Sequence, residues 1–228
     1  NRFFLFINEM EAHEPYSKDI LGKYFYKEYE YNYFRSVLMG SAENYMIEHY
    51  RKYYDIHAEN STNCVLDIIS ELSKRINMDD TLIIVTADHG NHIGENGKVF
   101  HGFYLSDELL KVPLYIKYPK DSGSDLKLRN SNISLTSIYY IIKSHVYNEK
   151  FMMNSLIISE SYGIQHSLNA IKSYFSLSYH ELKKYYTHKV RLSQGNQYLV
   201  YDLDRDEIAE LTGNFNLDHI RWIKDMFQ

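Results

Sequence analysis

Asp88 and His89 are adjacent residues whose side chains bind metal ions, and they follow closely on an apolar run at residues 81–86. A carboxylate oxygen and an imidazole nitrogen together suit Zn, Mn or Fe, or Ca if the histidine turns aside. Adjacent side chains in a strand point to opposite faces, so the two residues could share an ion only in a loop, which Gly90 would allow. The alternative is an Asp turn followed by a solvent-exposed histidine. One such pair leaves a metal site incomplete, so at least two further ligands must come from elsewhere.

Two further histidines follow apolar runs in a comparable way. His13 lies in the loop after residues 3–7, where Pro15 excludes a helix. His101 lies beyond the Gly-rich, charged segment that contains Lys98. Ligand crevices in open α/β sheets lie at the carboxyl ends of the strands. We therefore expect the two histidines and the Asp-His pair to converge in one crevice.

The elements that would position these residues can be read from the hydrophobic pattern. Residues 81–86 are a β-branched run without polar alternation, typical of a strand buried on both faces of a parallel sheet, and residues 3–7 predict a second such strand. Residues 42–76 carry apolar side chains three and four positions apart, which predicts one long helix or two packed on the sheet. Residues 18–35 have no clean period and predict a surface loop with some helix. The pattern indicates an α/β unit of the doubly wound kind.

Beyond the site loop, the pattern predicts further short strands and helices, first in the core region and then in a C-terminal lobe. The predicted helices are residues 107–110, 131–145, 206–211 and 217–227, and the predicted strands are residues 112–117, 156–159, 170–175, 188–192 and 198–203. The later strands are closely spaced, with a hairpin turn at residues 193–196, and predict a small antiparallel sheet. We expect a boundary near Lys150, which separates a core region (1–150) from a C-terminal lobe (151–228).

The composition restricts the classes of function. The chain has 228 residues, 44% of them apolar, which can supply a core. Its formal net charge of −5 and the lack of a basic cluster give no general attraction to nucleic acid. No apolar run approaches the ~20 residues that cross a bilayer, so no membrane span is expected in the visible chain. Cys64 is the one cysteine, which excludes an internal disulfide, and its apolar neighbours predict a buried core thiol.

Three motifs together resemble the sulfatase branch of the alkaline-phosphatase superfamily. The first is TADHG followed by GENGKVFHG and LKVPLYIKYP, the second is FFLFINEMEAHEPY, and the third and weaker one is YLVYDLDRDEIAEL, where Glu207 stands at the position of a family proline. The resemblance covers most of the chain. It implies an α/β fold of the alkaline-phosphatase-like three-layer sandwich kind, here partial, with a small C-terminal antiparallel α+β lobe. A calcium loop at the alternating Asp202, Asp204 and Asp206 is not expected, because Glu207 replaces the glycine that such a loop needs.

The resemblance also implies roles for the residues singled out above. Asp88 and His89 would be metal ligands, and the cofactor would be a divalent metal: Ca, or Mn or Zn in a phosphoesterase. His13 and His101 would be catalytic and would contact the oxygens of a sulfate or phosphate group, with Lys98 as a further substrate-binding neighbour. A tetrahedral dianion is stabilised by a metal and by donors aimed at its developing charge, which suits this set.

The expected function is therefore metal-dependent hydrolysis of small-molecule sulfate esters, the activity of a sulfuric ester hydrolase. In such families a pair of carboxylates and a Cys-derived, Ser or Thr nucleophile precede the region matched here. We expect the chain to be the C-terminal part of a longer enzyme, inactive alone, which either self-associates through an open apolar edge or needs its N-terminal half to be soluble. The alternatives are a phosphoesterase or phosphotransferase of the same superfamily, and a non-catalytic half that pairs with an N-terminal partner.

Overall fold

The computed structural model of the chain describes residues 3–16, 22–120, 132–147, 155–164 and 178–227. The helices there are α1 (Gly22–Leu38), α2 (Asn44–Ser73), α3 (Asp107–Leu110), α4 (Ser137–Tyr147), α5 (Tyr179–Leu182) and α6 (Leu217–Phe227). The strands there are β1 (Ile83–Thr86), β2 (His92–Ile93), β3 (Val99–Phe100), β4 (Leu114–Lys117), β5 (Ile157–Ser161), β6 (Lys189–Gln194), β7 (Gln197–Asp202) and β8 (Glu207–Thr212). Short 3-10 turns occupy Met78–Asp80, Glu95–Gly97 and Lys183–Tyr185.

The described residues form two compact units. The first contains the described residues between 3 and 79 together with residues 92–100, and the second contains residues 80–91 and the described residues from 101 onward. The predicted boundary near Lys150 and the predicted strand at residues 170–175 lie outside the described residues and stay predictions. No helix in the described ranges is long and apolar enough to cross a bilayer.

The first unit is built on the two long helices and the β2–β3 hairpin. Tyr33 of α1 stacks on Tyr50 of α2 with ring centroids 4.5 Å apart, and its hydroxyl donates to the carbonyl of Ile93 at 2.6 Å. Phe34, fully buried beside it, contacts Phe100 of β3 at 3.9 Å between centroids. The prediction of one long helix or two at residues 42–76 is confirmed in its first form, since α2 is a single helix.

Two predictions for the first unit are wrong, and a third is correct only in part. Residues 3–7 form no strand, and their side chains are about half to three-quarters exposed, because no described strand pairs with this apolar run. Of residues 18–35, for which a surface loop with some helix was predicted, the described part from Gly22 onward is all helix, and Tyr33 and Phe34 on it are buried. Cys64 is exposed, because its position on α2 faces away from the packed side chains of this unit.

In the second unit, β1 pairs with β4 in an antiparallel ladder, with Ile83 opposite Lys117 and Thr86 opposite Leu114. The predicted strand is present, but the parallel pairing predicted for it is not found among the described residues. Residues 83–85 are half-buried and Thr86 is exposed, so the strand is not enclosed on both faces. A continuous apolar run indicates burial, but it does not indicate the direction of the neighbouring strand.

The C-terminal antiparallel sheet is confirmed, with strand order β5-β6-β7-β8. A two-residue loop at Gly195 and Asn196 joins β6 to β7, and Gly195 has a φ of 59°, a conformation that glycine adopts without strain. The face covered by α6 forms a buried core of Val190, Leu192, Leu199, Tyr201, Leu203 and Ile223. The predicted helix at residues 206–211 is wrong: this segment is β8, because it pairs along its length with β7.

Candidate metal centre

Strand β1 delivers Asp88 and His89 to the surface of the second unit. The hydroxyl of Thr86, the last residue of the strand, donates to the carbonyl of Pro113 at 2.9 Å and holds the end of β1 against the segment before β4. The chain then bends at Asp88, whose side chain is 88% exposed. Its Oδ1 accepts the backbone N–H of His89 at 2.9 Å, which leaves Oδ2 directed to other partners.

A backbone carbonyl holds the imidazole of His89 in one tautomer. Its Nδ1 lies 2.8 Å from the carbonyl oxygen of Gly90. A carbonyl can only accept, so Nδ1 carries the proton and Nε2 presents its lone pair in the neutral ring. Metal-binding histidines are commonly held in one tautomer by such a bond. Sharing of one ion by adjacent residues was expected to need a loop. Asp88 and His89 lie in such a loop, since the chain bends at Asp88.

The two ligand atoms have a spacing that fits one ion. Oδ2 of Asp88 and Nε2 of His89 lie 3.8 Å apart. Metal–oxygen and metal–nitrogen bonds of about 2.0–2.2 Å allow two ligands of the same ion to lie up to about 4 Å apart. This donor pair fits a divalent cation, but it supplies two of the ligands that such an ion needs.

Gly90 fits closely against α3 and fixes the loop. Its N–H donates to the carbonyl of Leu109 at 2.8 Å. A Cβ added at Gly90 would lie 2.0 Å from the carbonyl oxygen of Glu108, so a larger residue would have to displace backbone. From the sequence, Gly90 was expected only to allow a loop, and no contact with residues 107–110 was predicted. The pattern of a glycine directly after two ligand-type residues is the signal that could have indicated a close backbone approach.

His101 is brought to the same place as His89. The two rings stack with centroids 4.2 Å apart and an angle of 25° between their planes. Three of the predicted residues, Asp88, His89 and His101, therefore lie together in the second unit.

His13 and Lys98 belong to the first unit. His13 lies in the turn that follows residues 3–10, where its Nδ1 lies 2.6 Å from the carbonyl oxygen of Glu14. Lys98 follows the 3-10 turn of the β2–β3 hairpin, and its N–H donates to the carbonyl of Glu95 at 2.9 Å. Convergence of these two residues with the Asp88 group stays a prediction.

The carboxylates at the β7–β8 turn have structural partners. Oδ1 of Asp202 accepts the N–H of Arg205 at 3.0 Å, and Oδ2 of Asp204 accepts the N–H of His188 at 2.8 Å. Asp206 pairs with Lys224 and with the hydroxyl of Tyr201. The three aspartates therefore stabilise the end of β7 and the turn before β8.

A mixed α/β chain that presents a carboxylate and an imidazole at the end of a strand has the donor types that divalent metals prefer. Residues 1–146 match the Sulfatase family model, and the chain therefore belongs to that family. Membership implies an alkaline-phosphatase-like fold, and enzymes of the family typically bind a divalent metal.

A similarity to one curated protein gives a further indication. Over 65 residues the chain is 38% identical to the low-salt glycan biosynthesis sulfotransferase Agl7 of Haloferax volcanii. This stretch is 27% of the chain and 16% of the Haloferax protein. The match therefore spans about a sixth of the length of that relative, and it supports activity only at the level of the superfamily.

Proposed function

We propose that the chain carries part of the active site of a metal-dependent hydrolase of small-molecule sulfate esters. The observation that supports this most directly is the group formed by Asp88, His89 and His101, in which two ligand atoms 3.8 Å apart lie beside a second, stacked imidazole. In a sulfatase family member, this group has lone pairs that can bind a divalent cation and imidazole N–H groups that can donate to the oxygens of a sulfate group.

In the proposed reaction a nucleophile attacks the sulfur, the bond from sulfur to the ester oxygen breaks, and the departing oxygen takes up a proton, with net consumption of one water. The bound metal would polarise the sulfate oxygens. Asp88 and His89 would hold it, with Nε2 of His89 directed by the bond from Nδ1 to Gly90. His101 and His13 would donate to the sulfate oxygens or protonate the departing oxygen, and Lys98 would contact the substrate. The nucleophile and the remaining ligands would come from the predicted N-terminal half.

A second candidate is transfer of the sulfuryl group to a hydroxyl acceptor other than water. The name of the Haloferax relative, a sulfotransferase in glycan biosynthesis, is the observation that favours it. Both reactions break the same sulfur–oxygen bond, and they differ in the final acceptor. The group around Asp88 is compatible with either.

The experiment joins the chain to its predicted N-terminal half and assays an aryl sulfate, an aryl phosphate, and the aryl sulfate with added sugar acceptors. We expect sulfate release that Asp88→Asn lowers by about 100-fold or more, because the substitution removes a charged ligand without changing shape. Asp218→Asn is the matched control, since this carboxylate is 79% exposed on α6. A sulfated sugar product would favour transfer, and turnover of the phosphate alone would favour the phosphoesterase.

Two results would contradict the proposal. Full activity of the Asp88→Asn enzyme would remove this residue from the site. Turnover by the 228-residue chain without its N-terminal half, abolished by Asp88→Asn, would show that the chain contains its own nucleophile. No turnover of any ester by the joined enzyme would favour a non-catalytic half.

A further inference from the structure

The segment after His101 is tied to the C-terminal sheet by Ser161. This serine is the last residue of β5 and is 5% exposed. Its hydroxyl donates to the carbonyl of Gly102 at 2.9 Å, and its Oγ accepts the N–H of Gly163 at 3.2 Å. The buried serine therefore connects the sheet to the residue next to His101.

A second connection starts at Arg191, in the middle of β6. The residue is 4% exposed, and its guanidinium lies over the ring of Tyr198 at 3.8 Å. Its Nε donates to Oγ of Ser193 at 2.9 Å, and its Nη1 donates to the carbonyl of Leu105 at 2.7 Å. Its Nη2 forms an ion pair with Asp107. A buried charge is tolerated only with such partners, so the arginine fixes the segment from Leu105 to Asp107 against the sheet.

The ion pair continues toward the metal ligands through α3. Asp107 is the first residue of α3, and Leu109 of the same helix accepts the N–H of Gly90. Burial opposes ionisation of Asp107, but Lys111 and Arg191 outweigh it and hold the pKa of this carboxyl below its usual range. One route therefore runs from β6 through α3 to Gly90, which follows His89.

Each connection ends beside one of the two stacked histidines. Ser161 donates to the carbonyl of Gly102, next to His101. Arg191 contacts the segment that leads into α3, and α3 accepts the N–H of Gly90, next to His89. Both start from adjacent strands of one sheet, whose core includes Ile223 of α6. Support from packed secondary structure is what keeps ligand geometry within a fraction of an ångström.

We infer that Ser161 and Arg191 are positioning residues, through which the C-terminal sheet sets the relative placement of His89 and His101. This inference rests on the proposed function, since it gives the C-terminal lobe a part in the same metal and sulfate site. Neither residue touches the site directly. Each acts through a backbone segment that precedes or follows a site residue.

The experiment records the imidazole Cε1–Hε1 signals of the histidine-labelled, joined enzyme at one pH without substrate, and then titrates Zn²⁺. Ser161→Ala is expected to shift the His101 signal most, and Arg191→Gln the His89 signal. Each should weaken Zn²⁺ affinity about 10-fold, as loss of supporting contacts around metal ligands does. Arg191→Lys should restore part of the affinity, because its ammonium can still reach one acceptor. His219, at α6, should keep its signal and so reports that the sheet and helix remain folded.

Arg205→Gln is the matched control, since this arginine is 40% exposed on the β7–β8 turn. Asp107→Asn keeps an oxygen that can accept from Arg191 but removes the charge of the ion pair. It tests the connection through α3 if the Arg191→Gln variant does not fold. Unchanged His89 and His101 signals and unchanged Zn²⁺ affinity in folded variants would overturn the inference and leave these residues a role in stability only. Because no substrate is present, failure of the joined enzyme to cleave any ester would overturn the proposed function separately.

Discussion

At the scale of single residues, Gly90 is the position where the geometry of the ligand loop depends on the absence of a side chain. Gly90→Ala would place a methyl group 2.0 Å from the carbonyl oxygen of Glu108, so α3 and the loop must separate. We expect a loss of about 1–3 kcal/mol in the free energy of unfolding, together with weaker metal binding. Urea unfolding and a Zn²⁺ titration measure the two effects.

Gly97→Ala is the control for this substitution. No atom lies within 4 Å of a Cβ at Gly97, whose φ of 68° leaves backbone strain as the main effect. This variant should lose stability without losing metal affinity. Equal metal affinity in the Gly90→Ala and wild-type proteins would show that α3 does not hold the ligand loop.

Glu30 gives a second prediction at this scale, because it is a carboxyl group buried in the first unit. It is 5% exposed and accepts a hydrogen bond from the hydroxyl of Tyr50 at 2.7 Å. Burial raises the pKa of Glu30 to about 7, since desolvation outweighs the bond from Tyr50. The protonated form is thus favoured in the folded state, and stability present below pH ~4.5 is lost as the pH rises through about 7.

Glu30→Gln should remove this dependence on pH. The glutamine keeps an oxygen for the Tyr50 hydroxyl and cannot ionise, so the variant is expected to gain up to about 3 kcal/mol over the wild type above pH 7. Urea unfolding at pH 5 and pH 8 checks it, with the exposed Glu71→Gln on α2 as the control. An equal loss of stability between the two pH values in the wild type and in Glu30→Gln would contradict the assignment.

At the scale of elements, α6 contributes Ile223 to the core of the C-terminal sheet. Ile223 is fully buried among the strands of that sheet, whereas Met226 on the same helix is 60% exposed. Ile223→Ala should lower the free energy of unfolding by about 2–5 kcal/mol, because it leaves a cavity. Met226→Ala should change it by less than about 0.5 kcal/mol. Similar losses from both substitutions, in urea unfolding, would mean that the helix is not packed as described.

Elements with a clear period were predictable, and those defined by pairing were not. Residues 42–76 and 217–227 show apolar side chains three and four apart, and both are helices. Residues 206–211 contain helix-forming residues, yet they form β8, because the ladder with β7 satisfies their backbone. The apolar residues 3–7 predicted a strand that has no ladder in the described chain. Pairing depends on residues distant in sequence, which local pattern does not contain.

The candidate site was predictable to a similar extent. The types and order of Asp88, His89 and His101 indicated a metal and anion site, and the structure brings these three together. The contacts of Ser161 and Arg191 with the loops were not predictable, since they join residues 59 to 86 positions apart. An arginine between the apolar residues 190 and 192 of a strand is the one local sign that a buried charge needs partners.

At the scale of the whole molecule, the exposed apolar run at residues 3–7 determines how the isolated chain should behave. Phe4 and Phe6 are each 77% exposed, and Phe3 is 61% exposed. A contiguous apolar segment with unpaired backbone groups favours association with another chain. We predict that the isolated 228-residue chain self-associates, and that the double variant Phe4→Lys and Phe6→Lys lowers its mass in light scattering. Tyr45→Lys is the control, since this side chain on α2 is 64% exposed. A wild-type chain that stays monomeric at high concentration would contradict the prediction, whereas an associated wild type together with a monomeric double variant would identify residues 3–7 as the surface of self-association.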